Sequence, residues 1–218
     1  MTISTILDLV GTLAFAVSGA FVGVHRRMDV FGVIVLSVAT ACGGGLLRDL
    51  VVGVHPPLVF ANPVFAVLST ITAVLTFVVL YRHVRMSRGG LHVYTRVFFW
   101  FDTLGLAAFT VDGVNVGIAN GYDANVVLLV FLGLLTGAGG GTIRDVLAQR
   151  IPDVLMKDVY ATASIFGGLV MALMAKYGCN PRLAMVCGFS AVVLMRLCAT
   201  KFHWNLPRVN RRLRKNEK

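Results

Sequence analysis

Charged side chains are scarce in this sequence of 218 residues. Only 14% of the residues are Asp, Glu, Lys or Arg, whereas 57% are hydrophobic. An ordinary soluble domain carries about 25% charged residues, so the composition excludes a water-soluble fold. The apolar segments follow one another with short polar breaks, and none of these breaks has the length of a separate globular unit. We therefore predict a single all-α membrane domain over residues 1–200 and a basic tail over residues 201–218.

The residue patterns of catalytic and metal sites are also missing. The four cysteines form no C-x-x-C pair, and the five histidines lack the spacing of metal ligands. The glycine-rich segments are not followed by Lys-Ser or Lys-Thr, which a nucleotide-binding loop requires. No nucleophile lies in a pattern with a general base. We therefore expect neither an enzyme nor a protein with a cofactor or a structural metal.

The sequence has long apolar runs instead. A membrane helix needs about 20 mostly apolar residues at a rise of about 1.5 Å each. Seven stretches qualify, and they run approximately over residues 6–24, 30–52, 63–80, 97–118, 125–148, 159–176 and 182–200. The sequence therefore predicts seven transmembrane helices.

The connections between these runs alternate between basic and non-basic. "HRRMD" follows the first run and "YRHVRMSRGGLHVYTR" the third, whereas "GVHPPLVFAN" after the second has no Lys or Arg. Because cytoplasmic loops are the ones enriched in Lys and Arg, this alternation predicts an external N-terminus and a cytoplasmic C-terminal tail. The formal net charge of +10 then reflects topology, and we expect no nucleic-acid partner.

One phrase occurs twice. "GGGLLRD" at residues 43–49 returns as "GGGTIRD" at residues 139–145, which is 96 residues later. "LDLVGTLAFAVSGA" likewise aligns with "FDTLGLAAFTVDGV", so that Asp8 corresponds to Asp102 and Ser18 to Asp112. The chain thus contains two repeats, over about residues 5–80 and 97–176, followed by a seventh helix over about residues 182–200. Three crossings per repeat force the second copy to enter from the opposite face, which predicts a 3+3 inverted repeat.

The glycine triplets remove side chains from nearly one turn of the second and fifth helices. These glycines are Gly43, Gly44, Gly45, Gly139, Gly140 and Gly141. Backbone of this kind can break or kink, which exposes carbonyl oxygens suited to a cation and amide groups suited to an anion. Small residues also let membrane helices pack closely, and this second interpretation stays open.

The charges after each triplet predict a buried network. Arg48 and Asp49, like Arg144 and Asp145, are adjacent and project about 100° apart on a helix, so we expect their partners to come from elsewhere in the chain. Charge near the bilayer centre costs about 2.5 to 3.5 kcal/mol on the insertion scale, which favours pairing across the repeats or a watery cavity. Ion pairs at the membrane interface are the alternative.

Asp112 is the strongest single candidate for contact with a cation or for a proton-linked role. It lies inside an apolar run with Asn115 one turn away on the same face. A carboxylate that only anchors helices is the alternative interpretation. Ser18 and Thr136 can line a path or bond to backbone. Asp8 and Asp102 lie near the ends of their predicted spans, where we expect capping or interfacial roles.

Seven spans, the inverted repeat, the extra helix and the paired "GGGLLRD" and "GGGTIRD" segments resemble the prokaryotic branch of the trimeric intracellular cation (TRIC) channel family. The resemblance implies a homotrimer in a bacterial or archaeal inner membrane, with a pore for potassium or sodium ions inside each subunit. It also implies kinks at the two glycine triplets. As for any chain this apolar, we expect membrane lipid as a partner, with bound lipid among its ligands. The fourth span has only Arg96 at its mouth, so the basic phosphoinositide-binding signature of animal members is missing.

The same bacterial domain is also described as a glycine transporter. The resemblance therefore leaves two functions open, a potassium-permeable channel and a secondary carrier for a small solute such as glycine. In the carrier, Arg48, Arg144 or the amino end of a half-helix would bind the solute carboxylate.

Overall fold

The protein is all-helical over the residues that the computed structural model describes, which are 3–86, 91–156, 159–202 and 204. The helices are α1 (Ile3–His25), α2 (Val30–Val52), α3 (Leu58–Ala61), α4 (Val64–Met86), α5 (Leu91–Ala119), α6 (Val126–Leu147), α7 (Asp153–Met156), α8 (Ala161–Lys176) and α9 (Pro181–Lys201). Most of the predicted basic tail lies outside the described residues, as does part of the arginine-rich connection after α4.

Short polar residues fix where the membrane helices begin and end. The Asp29 carboxylate accepts a hydrogen bond of 2.7 Å from the Gly32 amide at the start of α2. Asn125 caps α6 in the same way through the Leu128 amide at 3.1 Å. Gly53 ends α2 with a φ of 83°, in the left-handed region that an L side chain rarely adopts. These caps satisfy backbone groups that the helix itself leaves unpaired.

Six of the helices are long and apolar enough to cross a membrane, and they are α1, α2, α4, α5, α6 and α9. The prediction of seven spans is thus confirmed for six. The predicted span 159–176 corresponds to α8, which has 16 residues and a length of about 24 Å. This is shorter than the hydrocarbon core of about 30 Å. Helix α5 begins at Leu91, earlier than the predicted residue 97.

The helices pack as two matching sets of three. Within the first repeat α1 packs on α2 and α4, and within the second α5 packs on α6 and α8. The sets meet through two pairs of equivalent helices, α1 with α5 and α2 with α6. At the first contact the rings of Phe15 and Phe109 lie 5.3 Å apart between centroids. Helix α9 packs outside the repeats, on α8 and α5.

The two glycine triplets do not interrupt their helices. Helix α2 is continuous from Val30 to Val52 and α6 from Val126 to Leu147, so neither exposes the ends of two half-helices. The break that the glycines allowed is therefore not seen in this structure. The glycines lie instead where α2 and α6 touch, which the small residues permit because no side chain separates the backbones.

Candidate functional site

The two glycine triplets lie where α2 crosses α6, which is the equivalent helix of the other repeat. A Cβ atom at Gly44 would overlap the carbonyl oxygen of Thr136, and one at Gly140 would overlap the carbonyl oxygen of Thr40. The Thr136 hydroxyl donates to the Leu132 carbonyl at 2.7 Å, so it is satisfied within its own helix. Any residue larger than glycine at either position would push the two helices apart.

The remaining four glycines of the triplets are also closely packed. A Cβ at Gly43 would approach the Ile143 side chain to 2.6 Å, and Gly139 packs against the Gly44 backbone. Gly45 lies next to the guanidinium of Arg48, and Gly141 lies next to that of Arg144. Each triplet thus makes room for the arginine that follows it in the sequence.

Arg48 is buried in a group of carboxylates, with 4% of its surface exposed. Its Nε donates to Asp49 Oδ1 at 2.9 Å, and its Nη1 donates to Asp112 Oδ2. The expectation that adjacent Arg and Asp do not pair was therefore wrong, because the long guanidinium stem turns back to reach its neighbour. The expected partner across the repeats is present as well. We name Asp8, Arg48, Asp49 and Asp112 the Arg48 cluster.

Asp8 lies on α1 and lines the same cavity as Asp112. A carboxylate from α1 and one from α5 thus line the same cavity that reaches Arg48. Asn115, one turn further along α5, donates to the Ser4 hydroxyl at 3.4 Å. The face that carries Asp112 and Asn115 therefore meets the beginning of α1.

Arg144 holds the equivalent position in the second repeat and is fully buried. Its Nε donates to Asp145 Oδ1 at 2.8 Å, which repeats the pairing of Arg48 with its own neighbour. Its Nη1 donates to Ser18 Oγ at 2.5 Å and to Asp102 Oδ1 at 2.7 Å. Ser18 and Asp112 occupy equivalent positions, and each contacts the arginine of the opposite repeat.

Further charges surround Arg144. Arg150 Nη2 lies 2.6 Å from Asp145 Oδ1, and Arg196 Nη2 from α9 lies 3.4 Å from Asp102 Oδ2. The guanidinium of Arg144 also stacks over the Phe98 ring, 5.0 Å from its centroid. We name this group the Arg144 cluster, and its members are Asp102, Arg144, Asp145, Arg150, Asp153 and Arg196.

A cavity of about 170 Å³ reaches the Arg48 cluster. Its lining includes Asp8, Thr12, Cys42, Arg48, Phe109 and Asp112, so it lies between the two repeats at α1, α2 and α5. Both polar and apolar side chains line it, and the carboxylates of Asp8, Asp49 and Asp112 are among them. Such a space can hold water and a small cation in contact with Asp8 and Asp112.

Comparison with known proteins places this arrangement in a family. A family model described as "Glycine transporter" matches residues 5–81 and again residues 99–176. The chain is 40% identical over 203 residues to UPF0126 inner membrane protein YadS of Escherichia coli (strain K12), which covers 92% of this chain and 93% of that protein. It is 33% identical over 211 residues to UPF0126 membrane protein YvgT of Bacillus subtilis (strain 168), covering 95% and 97%.

Solved structures agree with the sequence relatives. The TRIC trimeric intracellular cation channel orthologue from Rhodobacter sphaeroides superposes with a TM-score of 0.84 at 30% identity, covering 94% of this chain and all of that chain. A second solved structure, described as the structural basis for conductance through TRIC cation channels, gives a TM-score of 0.82 at 30% identity. The match covers 96% of this chain and 98% of that chain. This chain belongs to the TRIC family. The resemblance inferred from the paired glycine segments is therefore confirmed, and these TRIC relatives are membrane channels, not enzymes.

Sequence reasoning missed part of this TRIC-family site. Asp102 was expected near a span end in a capping or interfacial role, yet it is fully buried and pairs with Arg144. The early start of α5 places it well inside the helix. Arg196 was also missed, although a single arginine inside the seventh apolar run was a usable signal. Tyr160 was missed too, and its hydroxyl donates to Asp102 Oδ1 at 3.4 Å.

Proposed function

We propose that this chain is a channel for monovalent cations, potassium among them, with a pore inside each subunit of a homotrimer. The observation that carries the proposal is the cavity between the repeats that is lined by Asp8 and Asp112. Three carboxylates and one guanidinium line this cavity, and the excess of carboxylates favours a cation. The TRIC channels with the same fold support the same function.

The proposed route runs from this cavity past the crossing of α2 and α6 to the Arg144 cluster. At the crossing, Gly44 and Gly140 leave only backbone, and glycine weakens a helix by about 0.5 to 1 kcal/mol relative to alanine. We propose that α2 and α6 bend at the triplets when the pore opens. Ser18 and Asn115 would then line the route, while Thr136 would contribute its carbonyl oxygen.

The membrane arrangement proposed here has seven spans, with α8 as the short sixth span held between α6 and α9. Three spans in each repeat place the repeats in opposite orientations, with the N-terminus outside and the C-terminus in the cytoplasm. The inner membrane is the proposed location, and the name of the Escherichia coli relative supports it. Lipid would surround α4, because only 11% of the residues in its most apolar stretch are buried inside the subunit.

A carrier for glycine is the second candidate, because the matching family model is described as "Glycine transporter". Such a carrier needs a positive group that is available to the solute carboxylate. Arg48 is held by Asp49 and Asp112. Arg144 is held by Asp102 and Asp145, and Asp153 lies 3.9 Å from it. Neither α2 nor α6 is broken to offer a half-helix amino end. These contacts favour the channel.

Reconstitution of the purified protein in planar bilayers and liposomes tests the proposal. A channel gives potassium current that follows the voltage, whereas a carrier gives saturable glycine uptake with counter-exchange and little conductance. Asp112→Asn is expected to lower potassium conductance by about three- to ten-fold, because it leaves Arg48 with one carboxylate fewer and so makes the cavity more positive. The matched control is Asp123→Asn, which removes the same charge from an exposed position in the connection after α5. Equal conductance in both variants would contradict the role of Asp112.

A further inference from the structure

The two charge clusters are related by the repeat but differ in composition. The Arg48 cluster contains one arginine and three aspartates, whereas the Arg144 cluster contains three arginines and three aspartates among the described residues. One of the additional cations, Arg196, comes from α9, which lies outside both repeats and has no counterpart in the first half. The seventh helix thus adds a charge at one end of the subunit only.

Four contacts hold the Arg196 side chain in place. Its Nε donates to Thr103 Oγ1 at 3.4 Å, and its Nη2 donates to Asp102 Oδ2 at 3.4 Å. Its guanidinium carbon lies 5.1 Å from the centroid of Phe99 and 4.8 Å from that of Tyr160. Only 5% of the residue is exposed, so this is a buried cation that connects α9 to α5.

Arg196 holds Asp102 less tightly than Arg144 does. The hydrogen bond from Arg144 to Asp102 measures 2.7 Å, within the normal range, whereas the bond from Arg196 to Asp102 measures 3.4 Å and is longer than that range. Removal of Arg196 therefore leaves the closest partner of Asp102 in place. It changes the charge of the cluster and loosens the contact between α9 and α5.

We propose that Arg196 is a positioning residue that sets the direction in which cations pass more easily. By neutralising Asp102 it keeps the Arg144 cluster uncharged overall, while the Arg48 cluster at the other end stays negative. Negative charge at one mouth concentrates cations there, so current carried from the Arg48 end exceeds current in the reverse direction. This inference rests on the proposed channel function.

Single-channel recording in symmetrical KCl tests the inference. The wild-type current is expected to rectify, and Arg196→Gln is expected to lower the rectification ratio by about two-fold, because Asp102 then adds negative charge to the weaker mouth. Arg196→Lys restores the charge and is expected to restore the ratio. The matched control is Lys201→Gln, which removes an exposed cation from the same end of the same helix and leaves the ratio unchanged.

A second measurement separates charge from a purely structural role. The Debye length falls from about 10 Å at 0.1 M salt to about 3 Å at 1 M, so wild-type rectification is expected to shrink as KCl rises. If Arg196→Gln does not fold, Arg196→Met keeps an apolar stem against Phe99 and Tyr160 without the charge. Rectification that survives the loss of Arg196 charge, or that ignores salt, overturns the inference. A wild-type protein without cation current overturns the proposed function instead.

Discussion

Replacing Asp102 with asparagine is expected to destabilise the protein far more than the same change at its repeat counterpart, Asp8. Asp102 is fully buried and is shared by Arg144 at 2.7 Å and Arg196 at 3.4 Å. The substitution leaves two buried guanidinium groups without their common carboxylate. Breaking a buried ion pair by removing one partner costs about 3 to 5 kcal/mol. For a chain of this size 1 kcal/mol shifts the melting temperature by about 2 to 4 °C, which gives a loss of about 6 to 20 °C.

Asp8 is in a different environment although the repeat makes it equivalent. It is only partly buried, it lines the cavity, and it lies beside another carboxylate, Asp112. Asparagine at this position has nearly the same size and keeps a hydrogen-bonding group beside the cavity, so the expected change in stability is within about 1 kcal/mol, or about 4 °C.

The two variants are compared by thermal unfolding in the same detergent. The measured quantity is the fraction of protein that remains soluble and monodisperse at each temperature. The difference between the variants is more informative than either value, because detergent affects both equally. Equal melting temperatures, or a larger loss for Asp8→Asn, would refute the assignment of Asp102 as the central anion of the Arg144 cluster.

Two further predictions concern the crossing of the helices and the cavity. Gly44→Ala is expected to lower the free energy of unfolding by about 1 to 3 kcal/mol and to abolish conductance, because the added Cβ would overlap the Thr136 carbonyl oxygen. The control is Gly168→Ala, whose added Cβ would lie 3.7 Å from its nearest neighbours. It is expected to leave both the melting temperature and the cation flux unchanged. With the other three cysteines replaced by serine, a membrane-impermeant cationic thiol reagent is expected to reach Cys42 in the cavity and block the current from the external side only. Block from the cytoplasmic side would reverse the proposed orientation.

The fold was largely predictable because membrane helices are specified by local composition. Each long span needs only a run of apolar residues, and the duplicated "GGGxxRD" segments predict the pairing of equivalent helices. The short helix α8 was the exception in length. Its 16 residues are as apolar as those of the longer membrane helices. The helix begins only at Ala161, because Tyr160 and the connection before it pack inside the protein.

The candidate site was predictable in its residues more than in its contacts. Arg48, Arg144 and Asp112 are conspicuous because buried charge in lipid requires a partner. Their actual partners depend on side-chain reach, and helical angles alone misjudged the pairing of each arginine with the next residue. The asymmetry between the clusters could not be derived from the repeat, since Arg196 enters from a helix that has no counterpart.

Each buried arginine is also connected, through the aspartate beside it, to a short helix that has no buried residues. The second carboxylate oxygen of Asp49 accepts the amide of Leu58 at 2.8 Å, and that of Asp145 accepts the amide of Asp153 at 2.8 Å. Both amides belong to the short helices that follow α2 and α6. A shift of either short helix by about 0.5 Å stretches this hydrogen bond beyond its normal length. The position of each short helix is therefore coupled, through one aspartate, to a guanidinium buried inside the subunit.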